Sequence, residues 1–371
     1  MKILINGYVG KKITGIGRTL IETVKHMSIL EKNNTFVIYT NYDNDEFFQI
    51  DFPKNVQVKR INVTKMSSMK NLLFNAFVFP FLSLKENADI VYLPNFTLIS
   101  FSFRPIVSVI HDMIEFKVGE KFSKLRMAYR HMIVPRMASK SKAVITVSEN
   151  SKKDIIEICK TEVSKIRVIY DAVSNDFNKV SDNSLRLIKD AYILYVGTVD
   201  HPGKNLFNAI KAFEKYKSDT HSDMKFLVCG MPGKGFEVVE ELMNNSKFSN
   251  DILYKGFVND NDLFNYYSFA SLFIFISYYE GFGMPILEAM KFGIPVITSN
   301  RSSLPEVAGE AALICDPDNL EEILESIYKI INDENIKNKL VENGYKNLER
   351  FSWEETAQKT LKIFNKIMEN K

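Results

Sequence analysis

The sequence predicts an α/β chain made of two doubly wound, Rossmann-like halves. Three observations carry this reading. Short apolar runs alternate with helical stretches up to Tyr170, a polar Asn/Ser/Asp-rich stretch from Asp176 to Lys189 interrupts them, and the alternation resumes at Tyr192 and continues to Ile314. A chain of 371 residues is long for one domain and suits two of ordinary size, and with 46% hydrophobic residues each half can bury a core. The expected division is 1–180 and 181–352.

In the first half the strand-like runs are Lys2–Asn6, Thr35–Thr40, Val56–Val63, Ile90–Leu93, Val107–His111, Ala143–Val147 and Lys165–Tyr170, with a helix after Gly17. In the second they are Tyr192–Gly197, Met224–Cys229, Ile252–Lys255, Leu272–Ile276, Pro295–Ser299 and Ala312–Ile314. Runs such as Leu272-Phe273-Ile274-Phe275-Ile276 are short, β-branched and aromatic, as strands of a parallel sheet buried on both faces are. The last helix is expected at Trp353–Met368. No short-period repeat, coiled coil or low-complexity tract is evident.

The near-neutral net charge of +3 hides an asymmetry. Residues 1–180 hold 27 Lys and Arg against 17 Asp and Glu, and the remainder 21 against 28. Lys117, Lys121, Lys124, Arg126, Arg130, Arg136, Lys140 and Lys142 face the single acid Glu120, interleaved with Phe122, Leu125, Met127, Tyr129, Met132 and Ile133. That pattern suits either an interfacial helix on an anionic membrane or a solvated helix with its apolar side on the core. The run Leu72–Leu82 is too short to span a bilayer and contains Pro80, so it either packs in the core or lines a lipid-facing acceptor cleft. Together the two segments favour a peripheral membrane enzyme. The N-terminus has no secretory pattern, which predicts a cytoplasmic protein. Cys159, Cys229 and Cys315 are isolated and odd in number, suggesting small core residues rather than a disulfide or zinc site.

The most informative stretch is Tyr279-Glu280-Gly281-Phe282-Gly283-Met284-Pro285-Ile286-Leu287-Glu288. Glu280 follows the strand-like run, and Gly281 and Gly283 let backbone approach a ligand. Pro285 suits a first helical turn, whose N–H groups can hold a pyrophosphate. Carboxylates accept hydrogen bonds from paired hydroxyls, which suits Glu280 and Glu288 to a sugar ring and a ribose.

With the Gly-Phe-Gly-Met-Pro insert between its glutamates, the segment resembles that of the retaining glycosyltransferases of family four, and the resemblance extends over nearly the whole chain. It implies the GT-B architecture: two facing Rossmann-like domains with a cleft between them and a C-terminal helix, 353–371, crossing back to the N-terminal domain. The N-terminal domain would bind the acceptor and the C-terminal one the nucleotide sugar. Thr14-Gly15-Ile16-Gly17-Arg18 matches the family's N-terminal glycine loop, and His111, after a strand and before Asp112, matches a histidine near the donor sugar. In Gly197-Thr198-Val199-Asp200-His201-Pro202-Gly203-Lys204, the resemblance implies that Lys204 neutralises the leaving diphosphate. Many relatives carry an arginine where this chain has Thr198 or Gly203; a second cation would come from Arg18 or Arg301, or be absent.

On this reading Glu280 binds sugar hydroxyls with the N–H groups of Phe282, Gly283 and Met284, while Glu288 holds the ribose. Gly230–Gly235 would lie near the base. Ser299–Gly309 resembles bacterial mannosyl- and rhamnosyl-type members, and Glu306 within it reads as a loop-ordering carboxylate. No Asp-x-Asp motif stands near these residues, so no metal and no cofactor are expected beyond the nucleotide-sugar co-substrate. Expected partners are the nucleotide sugar, a glycan or polyprenyl-diphosphate-linked acceptor and the inner face of the cytoplasmic membrane, with no nucleic acid. Alternatives are a sugar-nucleotide epimerase, a glucan synthase or a catalytically silent carbohydrate-binding protein. An NAD-dependent enzyme is disfavoured, because no Gly-x-Gly-x-x-Gly follows the first strand.

Overall fold

The computed structural model of the chain describes residues 1–7, 15–41, 49–61, 73–97, 99–118, 124–174, 177, 180 and 182–370. They form two compact units, Met1–Asp171 with Ser352–Lys371, and Ala172–Phe351.

The first unit is built on a seven-stranded sheet with strand order β3-β2-β1-β4-β5-β6-β7. The strands are β1 (Lys2–Asn6), β2 (Thr35–Asn41), β3 (Val56–Ile61), β4 (Ile90–Leu93), β5 (Ile106–Val109), β6 (Ala143–Thr146) and β7 (Ile166–Val168). All pairings are parallel, with Ile3 opposite Phe36 on one side and Ile90 on the other. Successive residues of β1 point to opposite faces, and both faces are covered: Ile3 and Ile5 join one core cluster and Leu4 the other. This is why the strands read as unbroken apolar runs rather than alternating ones.

The first helix, Gly15–Leu30, begins at Gly15 rather than after Gly17. Leu20, Ile21, Val24 and Met27 recur at helical spacing and bury against the sheet, and the C-terminal helix Trp353–Glu369 adds Ala357, Leu361 and Phe364 to the same cluster. Burial of that stripe outweighs the poor helix propensity of glycine, so Gly15, Gly17 and Arg18 lie in a helical turn and not in a loop. Thr14 falls outside the described residues.

The described apolar residues of the basic segment divide between core and surface: Met132 is exposed. In the helix Lys124–Lys140, Ile133, Val134, Met137 and Ala138 are buried in the unit's core. Arg130 pairs with Glu115 at 2.5 Å and covers the Phe96 ring at 4.1 Å, while Lys117 pairs with Asp154 and Glu157. Glu120, Lys121 and Phe122, and the side chains of Lys124, Leu125 and Arg126, lie outside the described residues. Residues 73–85 are helical, a π-helical turn Phe74–Val78 running into Phe79–Lys85. One side, with Ala76 and Phe79, is buried, and the other leaves Leu73, Phe77, Phe81 and Leu84 exposed.

The second unit has a six-stranded parallel sheet of order β10-β9-β8-β11-β12-β13. Its strands are β8 (Tyr192–Val196), β9 (Lys225–Cys229), β10 (Ile252–Gly256), β11 (Leu272–Phe275), β12 (Val296–Ser299) and β13 (Ala312–Cys315). Described residues of the polar stretch before it pack on the second unit, and Asp176 lies outside the described residues. Phe177 is buried against Phe264, with ring centroids 4.8 Å apart, and Asn265 exchanges hydrogen bonds with Leu185 and Leu187. These few apolar and amide contacts hold Phe177, Leu185 and Leu187 against the helix Asp260–Phe269.

Candidate functional site

In an open parallel sheet, a crevice opens beyond the carboxyl ends of the strands where the strand order reverses. In the second unit that point lies between β8 and β11, the two strands that precede Lys204 and Glu280. The loop after β8 is fixed by Asp200, which is buried and accepts a hydrogen bond from Lys204 N at 3.1 Å. Tyr278 N, beyond β11, donates to Gly203 O at 3.0 Å and ties the two loops together. Lys204 Nζ consequently donates to Glu280 Oε1 at 2.5 Å and sits 5.7 Å from the centre of the Phe275 ring. The two side chains are only 17% and 14% exposed, so this is a largely desolvated ion pair.

The Glu280 backbone is held as firmly as its side chain. Its N–H donates to Ser302 Oγ at 2.8 Å, and its carbonyl accepts from Ser302 and Ser303 at 2.9 and 3.0 Å. Ser303 also donates to Phe282 O, and the buried Phe282 ring packs edge-on against Phe351. Gly283 has φ +111°, where a side chain is strained, and a Cβ there would lie 2.8 Å from Leu304 Cδ2. The glycine turns the chain into the helix Met284–Lys291, which starts with Met284 and Pro285. Glu288, on that helix, accepts a 2.8 Å hydrogen bond from Tyr267.

The loops after β8 and β9 also run together. His201 N donates to Lys234 O, Val199 N to Met231 O and Gly233 N to Val199 O. Gly230 is where they touch: a Cβ on it would lie 1.8 Å from Gly197 O. Tyr195 donates to Thr198 O at 3.1 Å, and burial pushes its phenol well up, helped by the negative charges of Glu280 and Asp200.

Gly197, Thr198, Lys204, Glu280, Gly281, Phe282, Gly283, Met284 and Glu288 therefore all lie on loops or on the helix Met284–Lys291 of the second unit, with Lys204 and Glu280 in direct contact. Gly15, Gly17, Arg18 and His111 belong to the first unit. His111 lies two residues past β5, buried, with Nε2 donating to Pro94 O at 2.9 Å. Arg301, weighed as a second phosphate cation, instead pairs with Asp316 and Asp318 at 3.1 and 3.3 Å; two carboxylates already offset its charge. Asp200, Tyr267, Tyr278, Ser302 and Ser303 were not singled out from the sequence. Only the adjacency of Asp200 to the Lys204 loop, and of the serines to the Ser299–Gly309 pattern, signalled any of them. Among the described residues no group of three or more His, Cys, Asp or Glu is placed to hold a metal ion, and no helix is long and apolar enough to cross a membrane.

A cation and a carboxylate side by side at a switch point, with a second carboxylate on the adjoining helix, are equipped for a ligand carrying both phosphate and hydroxyl groups. With its two Rossmann-like units, the chain has the fold of the GT-B glycosyltransferases. It belongs to glycosyltransferase family 4: the model "Glycosyltransferase Family 4" matches residues 13–177, and "Glycosyl transferases group 1" matches residues 177–347. It is 28% identical over 374 residues to O-antigen chain mannosyltransferase B of Escherichia coli, covering 95% of this chain and 96% of that one. Its fold matches a glycosyltransferase from Rickettsia africae with a TM-score of 0.77 at 21% identity, over 100% of this chain and 99% of that one. It also matches Anabaena Alr3699/HepE, solved in complex with UDP-glucose, with a TM-score of 0.75 at 18% identity, over 99% and 100% of the two chains.

Proposed function

We propose that this glycosyltransferase transfers a hexose, with retention of configuration, from a GDP-mannose-like nucleotide sugar to a lipid-linked or cell-surface glycan, without a metal ion. The observation that carries the reading is the Lys204–Glu280 pair at the switch point of the six-stranded sheet. Lys204 is placed to take up the negative charge that develops on the diphosphate as the sugar–phosphate bond breaks, a role in which one preorganised donor is worth roughly 3 kcal/mol. Glu280 offers an acceptor to sugar hydroxyls beside it, and Glu288, oriented by Tyr267, offers one to the ribose. The mannosyl donor is supported by the likeness to the O-antigen mannosyltransferase, and a nucleotide-sugar partner by HepE, solved with UDP-glucose. The first unit is proposed to hold the acceptor.

Nucleoside-diphosphate release from a panel of GDP-, UDP- and dTDP-sugars, with and without polyprenyl-diphosphate-linked acceptors, tests this reading. One donor should be turned over, faster with acceptor, and Lys204→Ala should lower kcat by about a hundredfold or more. Glu288→Ala should abolish release at donor concentrations that saturate the wild type. Chelation by EDTA should leave turnover unchanged. Donor binding without turnover under every condition would instead favour a silent carbohydrate-binding protein, and EDTA inhibition reversed by manganese would remove the metal-independent mechanism.

A further inference from the structure

The first unit contains a cavity of about 850 Å³ far along its sheet from His111. It opens at the amino ends of β5, β6 and β7 and is closed by the last turns of the C-terminal helix. Six cations line it, Arg104, Lys140, Lys142, Lys165, Arg167 and Lys366, and no aspartate or glutamate does. None of these six pairs with a carboxylate among the described residues. Arg167 donates to Ser164 O and Ile166 O, and Lys140 to Ser100 O, which holds their charges in place without neutralising them. Arg104 Nε is buried with no hydrogen-bond partner. That nitrogen is shielded from solvent, so an anion in the cavity would act on it through its charge rather than by a direct hydrogen bond. The helix contributes roughly half a negative charge at its carboxyl end, far less than the positive charge around it.

The second observation lies at the rim. Phe101 and Phe103, which line the cavity, meet at 5.3 Å, and Phe81 contacts both, at 5.6 and 5.5 Å. Phe81 is 55% exposed and Phe77, one turn before it, 53%. With Leu73 and Leu84 they form an apolar stripe along the helical segment 73–85, continuous with the cavity mouth. A site for a free phosphate has no use for exposed phenylalanines. A bilayer surface has use for both features, since anionic headgroups meet the cations while aromatic side chains enter the acyl boundary.

We propose that this cavity and the phenylalanine stripe beside it form a membrane-docking site, in which the phosphate of an anionic phospholipid headgroup occupies the cavity. This proposal is independent of the donor and linkage assigned to the enzyme.

Co-sedimentation of the full chain with vesicles of phosphatidylglycerol or of phosphatidylcholine tests it. Binding is expected to phosphatidylglycerol vesicles only. Lys142→Gln/Arg167→Gln/Lys366→Gln should bind them roughly a hundredfold more weakly, at about fivefold per charge removed. Phe77→Ser/Phe81→Ser should also weaken vesicle binding while leaving the affinity for inorganic phosphate unchanged. Equal binding to both vesicle types, or wild-type binding by the charge variant, would overturn the proposal. So would vesicle binding that free phosphate abolishes and the phenylalanine changes do not affect, because the cavity would then be a site for a soluble anion. Nucleoside-diphosphate release from a soluble donor, measured on the same variants, is expected to persist. Its absence in the wild type with vesicle binding intact would count against the proposed donor chemistry and leave the docking site standing.

Discussion

Asp171, the last residue of the first unit's leading segment, is buried beside His111, and Thr19 donates to it at 3.3 Å. Burial pushes its carboxyl up to about 6, against the opposing influence of His111 and the Thr19 hydroxyl. The folded chain thus holds this proton more tightly than the unfolded one does, where the value is 3.8. The stabilisation is complete below the unfolded value and is lost as pH rises through about 6. Between pH 4 and pH 7 the wild type should lose about 2 kcal/mol relative to Asp171→Asn. Urea denaturation of both proteins across that range measures it, and parallel stability curves would mean the carboxyl is solvated. Nothing in the sequence marked Asp171, one acid after a short strand. Glu280 and Lys204 were legible because glycines and a proline punctuate the chain just past strand ends. Their contact was not: it joins positions 76 residues apart through a loop that Asp200 shapes.

At the level of elements, the contact between the β8 and β9 loops is the feature most exposed to a single substitution. Alanine at Gly230 would place its Cβ 1.8 Å from Gly197 O, a backbone atom that cannot swing aside. Gly230→Ala should therefore cost about 1–3 kcal/mol by overpacking, and, by displacing the loop that carries Lys204, reduce donor turnover as well. Thermal unfolding and nucleoside-diphosphate release check the two halves of this expectation; a variant as stable as the wild type would mean the loops do not touch. The strands themselves were readable, since a sheet covered on both faces demands continuous apolar residues, and their ends moved by only a residue or two. Amphipathic helices were less readable. The apolar residues of Lys124–Lys140 could have faced lipid or core with the same spacing; Ile133, Val134, Met137 and Ala138 are buried, whereas Met132 is exposed. Conversely, residues 73–85 divide their apolar residues between both sides, which a single stripe could not reveal.

For the whole molecule, the chain's route has a thermodynamic consequence. After completing the second unit it returns to the first, and Ser352–Lys371 counts among that unit's residues. Phe364 is fully buried there, 5.5 Å from the Tyr92 ring, in the cluster that contains Ile3, Leu20 and Val24. A segment that follows the second unit thus completes the core begun by β1, and the first unit's core is not finished without the helix Trp353–Glu369. Phe364→Ala should destabilise the first unit by about 3–5 kcal/mol, the usual cost of removing a buried aromatic ring. Trp353, the chain's single tryptophan, begins the same helix and is buried, so its fluorescence reports on this unit. The denaturation midpoint read from Trp353 should fall in the variant, while amide exchange in β8, β9 and β11 stays at wild-type rates. If exchange in those strands accelerates to the same extent, the two units unfold as one cooperative system, and the C-terminal helix carries the stability of both.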